Sequence, residues 1–206
     1  MNKIYIQGTF GAYSHLAALE IDPNAEVIPC KTFDECFIKT SSEKDARMLI
    51  PESNRITGNI GIEYLIFKYR LNIYAEHFQK IEHNLLGQPG ASLNDIKDVF
   101  SHTQGLSQCS NFIKKNNLVE HIRADTAGSA EAISKKKIKS EAAIASSLSA
   151  KIYKLEIIKH NVENDKGNTT RFLIMGKEVY QPDFADKRYI TSFLFKLKSK
   201  PAALYQ

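Results

Sequence analysis

Asn168-Thr169-Thr170-Arg171-Phe172 is the stretch whose residue types could do chemistry. It follows a polar, turn-prone run over residues 161–167 and leads into the apolar run Phe172-Leu173-Ile174-Met175. A hydroxyl beside a guanidinium at the mouth of a buried strand suits a small anionic substrate. The guanidinium is a fixed two-pronged donor for a carboxylate. The hydroxyl can hydrogen-bond a leaving group. Thr-Arg-aromatic also arises by chance on exposed strands, so the elements that position these residues have to decide.

The chain has 206 residues, 43% hydrophobic and 25% charged, the balance of a soluble globular protein with a real core. That length fits one large domain or two small lobes. No apolar run approaches the roughly 20 residues that span a bilayer. The N-terminus, Met1-Asn2-Lys3-Ile4-Tyr5-Ile6, has no signal-peptide core and reads directly as a strand, which predicts a cytoplasmic protein. Cys30, Cys36 and Cys109 are odd in number and lack CxxC spacing, so they read as small buried apolar residues. The net charge of +5 is spread along the chain. Its dense cluster, Lys135-Lys136-Lys137 with Lys139, reads as a solvated helix end, where cations meet the negative end of the dipole. Nucleic acid is therefore not an expected partner, although a mild positive field can steer an anionic metabolite.

Short apolar runs alternate with helical patterns. Strands are expected over residues 3–7, 26–30 and 47–51, with helices over 14–21 and 60–69. Thr32-Phe33-Asp34-Glu35 forms a capping box that opens another helix. Residues 71–83 read as extended. The second half predicts strands at 99–102, 121–124, 142–145, 155–162 and 172–175, with helices at 104–115, 126–137 and 146–153. Alternation of this kind predicts an α/β fold with a largely parallel core.

Polar loops follow the strands: Gly8-Thr9-Phe10-Gly11, Pro51-Glu52-Ser53-Asn54, Ser101-His102-Thr103-Gln104, Asp125-Thr126-Ala127-Gly128 and Ser146-Ser147. Ligands of open α/β sheets bind beyond the carboxyl ends of strands, where helix N-termini offer N–H groups to anions. The same residues also serve as ordinary helix caps. Gly8-x-x-Gly11 lacks the third glycine and the downstream acid of a dinucleotide fingerprint, and there is no P-loop. The expected ligand is a small carboxylate.

Six segments taken together resemble the prephenate dehydratases. They are Gly8-x-x-Gly11-x-Tyr13-Ser14-His15, His83-x-Leu85-Leu86, Ser101-His102-x-Gln104-x-Leu106-x-Gln108-Cys109, Asp125-Thr126-Ala127-Gly128-x-Ala130, Ala142-Ala143-Ile144-Ala145-Ser146 and Asn168-x-Thr170-Arg171-Phe172. They run in the family's order over roughly residues 3–175. The resemblance implies a two-lobed, periplasmic-binding-protein-like (type II) fold over residues 1–182. One lobe would hold about 1–77 plus 168–182, the other about 78–167, with substrate in the cleft between them. Residues 189–206 resemble the opening of a regulatory ACT domain (α+β), with a strand over 191–197, and are expected to be a truncated one.

By the same resemblance the reaction is the decarboxylating dehydration of prephenate to phenylpyruvate in phenylalanine biosynthesis. Aromatisation drives it, so neither metal nor cofactor is expected. Thr170 would protonate the leaving hydroxyl and Arg171 would anchor the side-chain carboxylate. Asn54, Ser101, Gln108 and Phe172 carry over as substrate-binding residues, and Thr9 and Thr126 are expected anion contacts. No histidine pair has the spacing of a zinc site. His15, His83 and His102 are expected in structural hydrogen bonds, and His77, His121 and His160 on strands or the surface. L-phenylalanine would act on the full-length protein through the ACT domain, and a homodimer is expected, weaker without that domain. The third-strand loop carries Ser53 where the family has Glu and Arg55 where it has Ser; Arg55 is expected to be solvated. Two alternatives stand beside this reading: arogenate dehydration, and a non-catalytic module that binds a small carboxylate.

Overall fold

The computed structural model describes residues 3–179. In the first part of the chain, Lys3–Gln7 (β1), Glu26–Cys30 (β2) and Arg47–Asn54 (β3) are linked by the helices Tyr13–Ile21 (α1) and Phe33–Ser42 (α2). Gly58–Asn59 (β4) folds back on β3, and Glu63–Tyr69 (α3) leads to Asn72–Lys80 (β5). A second sheet is then built from Asn84–Gly87 (β6), Asp98–Ser101 (β7), Val119–Ile122 (β8), Glu141–Ala145 (β9) and Glu156–Lys159 (β10). Its helices are Thr103–Gln108 (α4), Ser110–Lys115 (α5), Thr126–Lys136 (α6) and Ser147–Tyr153 (α7). Thr169–Gly176 (β11) returns the chain to the first sheet.

Side-chain alternation places the cores. Ile4 and Ile6 of β1 join Ala17 and Ala18 of α1, Leu49 and Phe172 on one face of the first sheet. Tyr5, between them, joins Phe37, Met48, Ile50 and Leu65 on the other. Strand period two requires this split. The second sheet is likewise packed on two sides, around Leu85, Val99 and Ile113 and around Leu86, Phe100 and Ile133.

The first sheet runs β2-β1-β3-β11-β5 and the second β10-β6-β9-β7-β8. β1 pairs in parallel with β2 and β3, and β7 with β8 and β9. The remaining ladders are antiparallel. The expected largely parallel core is thus corrected to two mixed sheets. Where a helix connects two strands, the crossover makes them parallel. β5 leaves the first sheet and β11 re-enters it without such a helix, and both lie antiparallel to their neighbours.

Three further expectations change. The extended run over 71–83 ends at Lys80, and a separate strand, β6, follows it with every residue buried. The helix expected over 104–115 is two helices meeting at Cys109. In the capping box, Thr32 Oγ1 accepts from the Glu35 N–H at 3.1 Å, whereas the Glu35 carboxylate accepts from the Lys31 N–H at 2.7 Å, one residue outside the reciprocal pairing. The ACT-like stretch 189–206 and its expected strand lie outside the described residues. Among those described, no helix is long and apolar enough to cross a membrane.

Gly11 seats the first loop against the second sheet's helices. Its carbonyl accepts from Ser146 Oγ at 2.5 Å and from Ser149 Oγ at 2.9 Å. Nearby, the Tyr153 hydroxyl donates to the Phe10 carbonyl at 2.8 Å.

Candidate active site

β3 and β11 end side by side, with Thr170 opposite Asn54. Asn54 Oδ1 accepts from the backbone N–H of Ile56 at 2.9 Å and of Thr57 at 3.1 Å. This turn holds the amide and fixes which end is nitrogen, since only an oxygen can take two N–H donors. Asn54 Nδ2 therefore faces β11. It donates to Thr170 Oγ1 at 2.9 Å and to Asn168 Oδ1 at 2.8 Å. A donor on Thr170 Oγ1 leaves the hydroxyl proton for another acceptor.

Behind this pair lies a buried polar row. Asn168 is fully buried, and its Nδ2 donates to Gln108 Oε1 at 3.0 Å. Gln108 comes from the last turn of α4. Its Oε1 also lies 2.7 Å from His83 Nε2, and His83 Nδ1 lies 2.8 Å from the Tyr13 hydroxyl. His83 is 2% exposed, and burial holds its imidazole below the usual histidine range, against the upward pull of Gln108 and Glu163. Burial also pushes the Tyr13 phenol well up, so it stays protonated. The row joins α1 to the junction between β5 and β6 and ends at Thr170.

The other expected site residues are placed differently. Arg171 faces away from Thr170, as adjacent strand residues do. Its Nε donates to Glu76 Oε2 at 2.7 Å, and its Nη1 lies 3.3 Å from Glu52 Oε2. The expectation that hydroxyl and guanidinium act side by side is corrected on this ground. Phe172 is 2% exposed and packs with Ile4, Ile6 and Leu49, so it is core in this conformation rather than a ligand contact. Ser101 is fully buried and donates to the Ile144 carbonyl at 2.7 Å. The Gly128 N–H at the start of α6 is taken, because it donates to Asp125 Oδ1 at 2.6 Å. Thr9 Oγ1 donates to the same carboxylate oxygen at 3.3 Å, which brings the first loop to the start of α6. Thr126 stands there too. A Cβ on Gly105 would lie 2.7 Å from Ser101 Oγ and 3.4 Å from Thr126 Cγ2, so the bare glycine lets the first turns of α4 and α6 close up.

The substituted third-strand loop has its own order. Register slips between Arg171 and Phe172, so Ser53 pairs with Arg171, Pro51 pairs with Phe172, and Glu52 is the extra residue of a bulge. The bulge turns the Glu52 carboxylate to the Arg171 face, where Ser53 Oγ donates to it at 2.6 Å. Arg55 is exposed, as expected, and its Nη1 lies 3.3 Å from the Gly167 carbonyl. Sequence reading missed the bracing by Glu52 and Glu76. It also gave Asn168, His83 and Tyr13 no role in holding the site, although all three lie in the motifs that carried the resemblance. Among the described residues, no group of three or more His, Cys, Asp or Glu side chains is arranged to hold a metal ion.

Arogenate dehydratase/prephenate dehydratase 1 of Arabidopsis thaliana is 39% identical over 99% of this chain and 52% of its own length. A solved quorum-quenching acylase, GqqA, superposes with a TM-score of 0.81 at 34% identity, covering 87% of this chain and 66% of that one. The prephenate dehydratase of Arthrobacter aurescens, solved with L-Phe, has the same fold, with a TM-score of 0.80 at 21% identity over 88% of this chain and 62% of that one. This chain spans about half the length of the curated relatives it matches, 52% in the first two. The prephenate dehydratase family model matches residues 4–180, which take in both sheets and the Asn54–Thr170 junction, and this chain belongs to that family.

Proposed function

We propose that the protein carries out the decarboxylating dehydration of prephenate to phenylpyruvate. The observation that carries this reading is the Asn54 Nδ2 contact to Thr170 Oγ1 at 2.9 Å. It occupies a lone pair of the hydroxyl and directs the proton outward, the arrangement a donor to a leaving group needs. In the reaction the bond from the ring to its carboxylate breaks and releases CO2. Its electron pair enters the ring and expels the hydroxyl across from it, and the departing oxygen takes a proton to leave as water. A threonine hydroxyl is a poor free acid at neutral pH. It serves here because the proton moves late, to an oxygen made basic by C–O cleavage. Alignment and a fixed field supply most of the acceleration. Family membership and the preserved Asn54, Gln108 and Thr170 support the reading.

The substrate carboxylates need positive potential. At the closed-up first turns of α4 and α6 the Gly128 N–H and the Thr9 hydroxyl are already taken by Asp125, and the Thr126 hydroxyl is the donor this chain offers there. Arg171 is a brace in this conformation, held by Glu52 and Glu76. The finer parts of the reading are proposals of the same kind. The molecule works as two lobes, about 1–77 plus 168–182 and about 78–167. Residues 189–206 belong to an ACT-like segment through which L-phenylalanine regulates the longer protein. That protein pairs as a homodimer and acts in the cytoplasm.

Arogenate is the second reading, favoured by the double name of the Arabidopsis relative. The two substrates differ at one side-chain group, a ketone against an amine. The test is turnover of both compounds by the purified chain and by Thr170→Ala. Wild-type turnover should fall at least about 100-fold in the variant, the scale of a lost general acid, with substrate affinity kept. A variant as active as wild type removes Thr170 from the chemistry. A wild-type chain inert on both compounds removes the enzyme reading and leaves a carboxylate-binding module.

A further inference from the structure

We propose that His83 is a positioning residue: held between Tyr13 and Gln108 as the Nε2–H tautomer, it completes the donor–acceptor order that the Asn54 turn imposes on the amide row ending at the Thr170 hydroxyl. The proposal deepens the dehydratase reading and, for its kinetic part, rests on it.

The argument begins at the far end of the row. Asn54 cannot turn over, because two backbone N–H groups hold its Oδ1. Its Nδ2 therefore meets Asn168 as a donor, and Asn168 must present Oδ1. Asn168 Nδ2 then points at Gln108, which must present Oε1. That oxygen lies 2.7 Å from His83 Nε2, so Nε2 must carry a proton. In a neutral imidazole Nδ1 is then an acceptor, and the group beside it, at 2.8 Å, is the Tyr13 hydroxyl, whose one proton can reach either that nitrogen or the Glu82 carbonyl at 2.9 Å. From Asn54 to His83 Nε2 every contact is satisfied by one order and by one histidine tautomer.

The opposite tautomer breaks the row. A bare Nε2 would face Gln108 Oε1, two acceptors at 2.7 Å. Turning Gln108 over would set its N–H groups against those of Asn168. Turning Asn168 as well would set its N–H groups against those of Asn54, which is fixed. One contact must then be lost within a buried row whose members His83 and Asn168 are 2% and 0% exposed. A half-satisfied buried network costs more than its missing bond. The loss falls at His83–Gln108, at Gln108–Asn168 or at Asn168–Asn54 according to which amides turn, and in the last case on the amide that orients Thr170 Oγ1. Tyr13 comes from α1 of the first sheet and His83 from the entry to the second, so the row is complete only when the two are seated together.

The test has a spectroscopic arm and a kinetic arm. Whole chain carrying 15N-labelled histidine would be examined by NMR above pH 7, with the His83 ring signals assigned by their loss in His83→Gln. The expected result is the Nε2–H tautomer; an Nδ1–H tautomer overturns the proposal whether or not the protein turns over substrate. In the kinetic arm, glutamine at position 83 places an N–H near the Nε2 position and leucine places none. His83→Gln should keep kcat within about 10-fold, and His83→Leu should lose at least about 100-fold at a KM within about 3-fold of wild type. Tyr13→Phe, which keeps the ring in α1, should keep the Nε2–H tautomer that Gln108 demands and lower kcat about 5-fold with unchanged KM. It decides the case should the leucine variant not fold. Equal losses in His83→Gln and His83→Leu, or a Tyr13→Phe variant with wild-type kcat or with the Nδ1–H tautomer, overturn the positioning role. An inert wild type removes the dehydratase reading while the tautomer still decides the row.

Discussion

Arg171 and Thr170 are chain neighbours that face opposite sides of the sheet, and their surroundings differ accordingly. Thr170 is 8% exposed and meets a neutral amide donor. Arg171 meets two carboxylates, with the three side chains between 23% and 28% exposed. A planar fork can hold Glu76 through Nε and Glu52 through Nη1 at once, which a single ammonium cannot do. Partial exposure screens such pairs, so the brace is worth on the order of 1–2 kcal/mol. Arg171→Lys should therefore lower Tm by about 2–6 °C and change the KM for prephenate less than about 3-fold. Thermal melts and steady-state kinetics on one preparation check both. A large rise in KM with an unmoved Tm would return Arg171 to the role of substrate anchor.

At the scale of elements, the Gly8–Gly11 loop shows what a motif can and cannot tell. The sequence marks the glycines, but not why the second must be one. Gly11 has φ +89°, and a Cβ there would lie 2.6 Å from Ser149 Oγ and 3.0 Å from Ser149 Cα. The hydroxyl could swing away; the backbone atom could not. Gly11→Ala should cost about 2–3 kcal/mol, from left-handed strain plus displacement of α7, read as a lowered denaturant midpoint at unchanged slope. An unchanged midpoint would mean that the loop does not seat on α7. Elements with a local signal were legible: β1, α2 and α6 lie within a residue or two of where pattern and caps put them. The break between α4 and α5 was not, because its cause is distant in sequence. Asn164 donates its N–H to the Gln108 carbonyl at 2.7 Å and accepts from the Asn111 N–H at 3.1 Å, so it caps both helices from a loop more than fifty residues away. The site divides the same way. Residue types named Thr170 and the family resemblance added Asn54 and Gln108, while the opposite facing of Arg171 depends on strand pairing and the bulge at Glu52. The tautomer of His83 depends on a row drawn from α1, α4, the β3 turn and the start of β11, which no local pattern encodes.

For the whole molecule, the two buried histidines make stability depend on pH. Burial lowers the pKa of His15 and of His83 below the unperturbed 6.5. His15 Nδ1 accepts the Gly11 N–H at 3.0 Å, a bond that protonation of that nitrogen would destroy. The folded state thus keeps both rings neutral in a range where the unfolded chain protonates them. There the unfolded state binds more protons, and linkage makes stability rise with pH. The histidine contribution is full above about pH 6.5 and is lost on acidification through and below it. Each proton taken up only by the unfolded chain adds about 1.4 kcal/mol per pH unit to the slope. Since Gly11 and Tyr13 hold the first loop and α1 against the second sheet, protonation also loosens the contact between the two sheets. Denaturant midpoints between pH 5 and 8 should rise with pH, and His83→Gln should flatten that rise by removing one titrating group. A profile flat from pH 5 to 7, or a slope unaffected by His83→Gln, would show that these rings titrate alike in both states and that the seating of the two sheets does not depend on their neutrality.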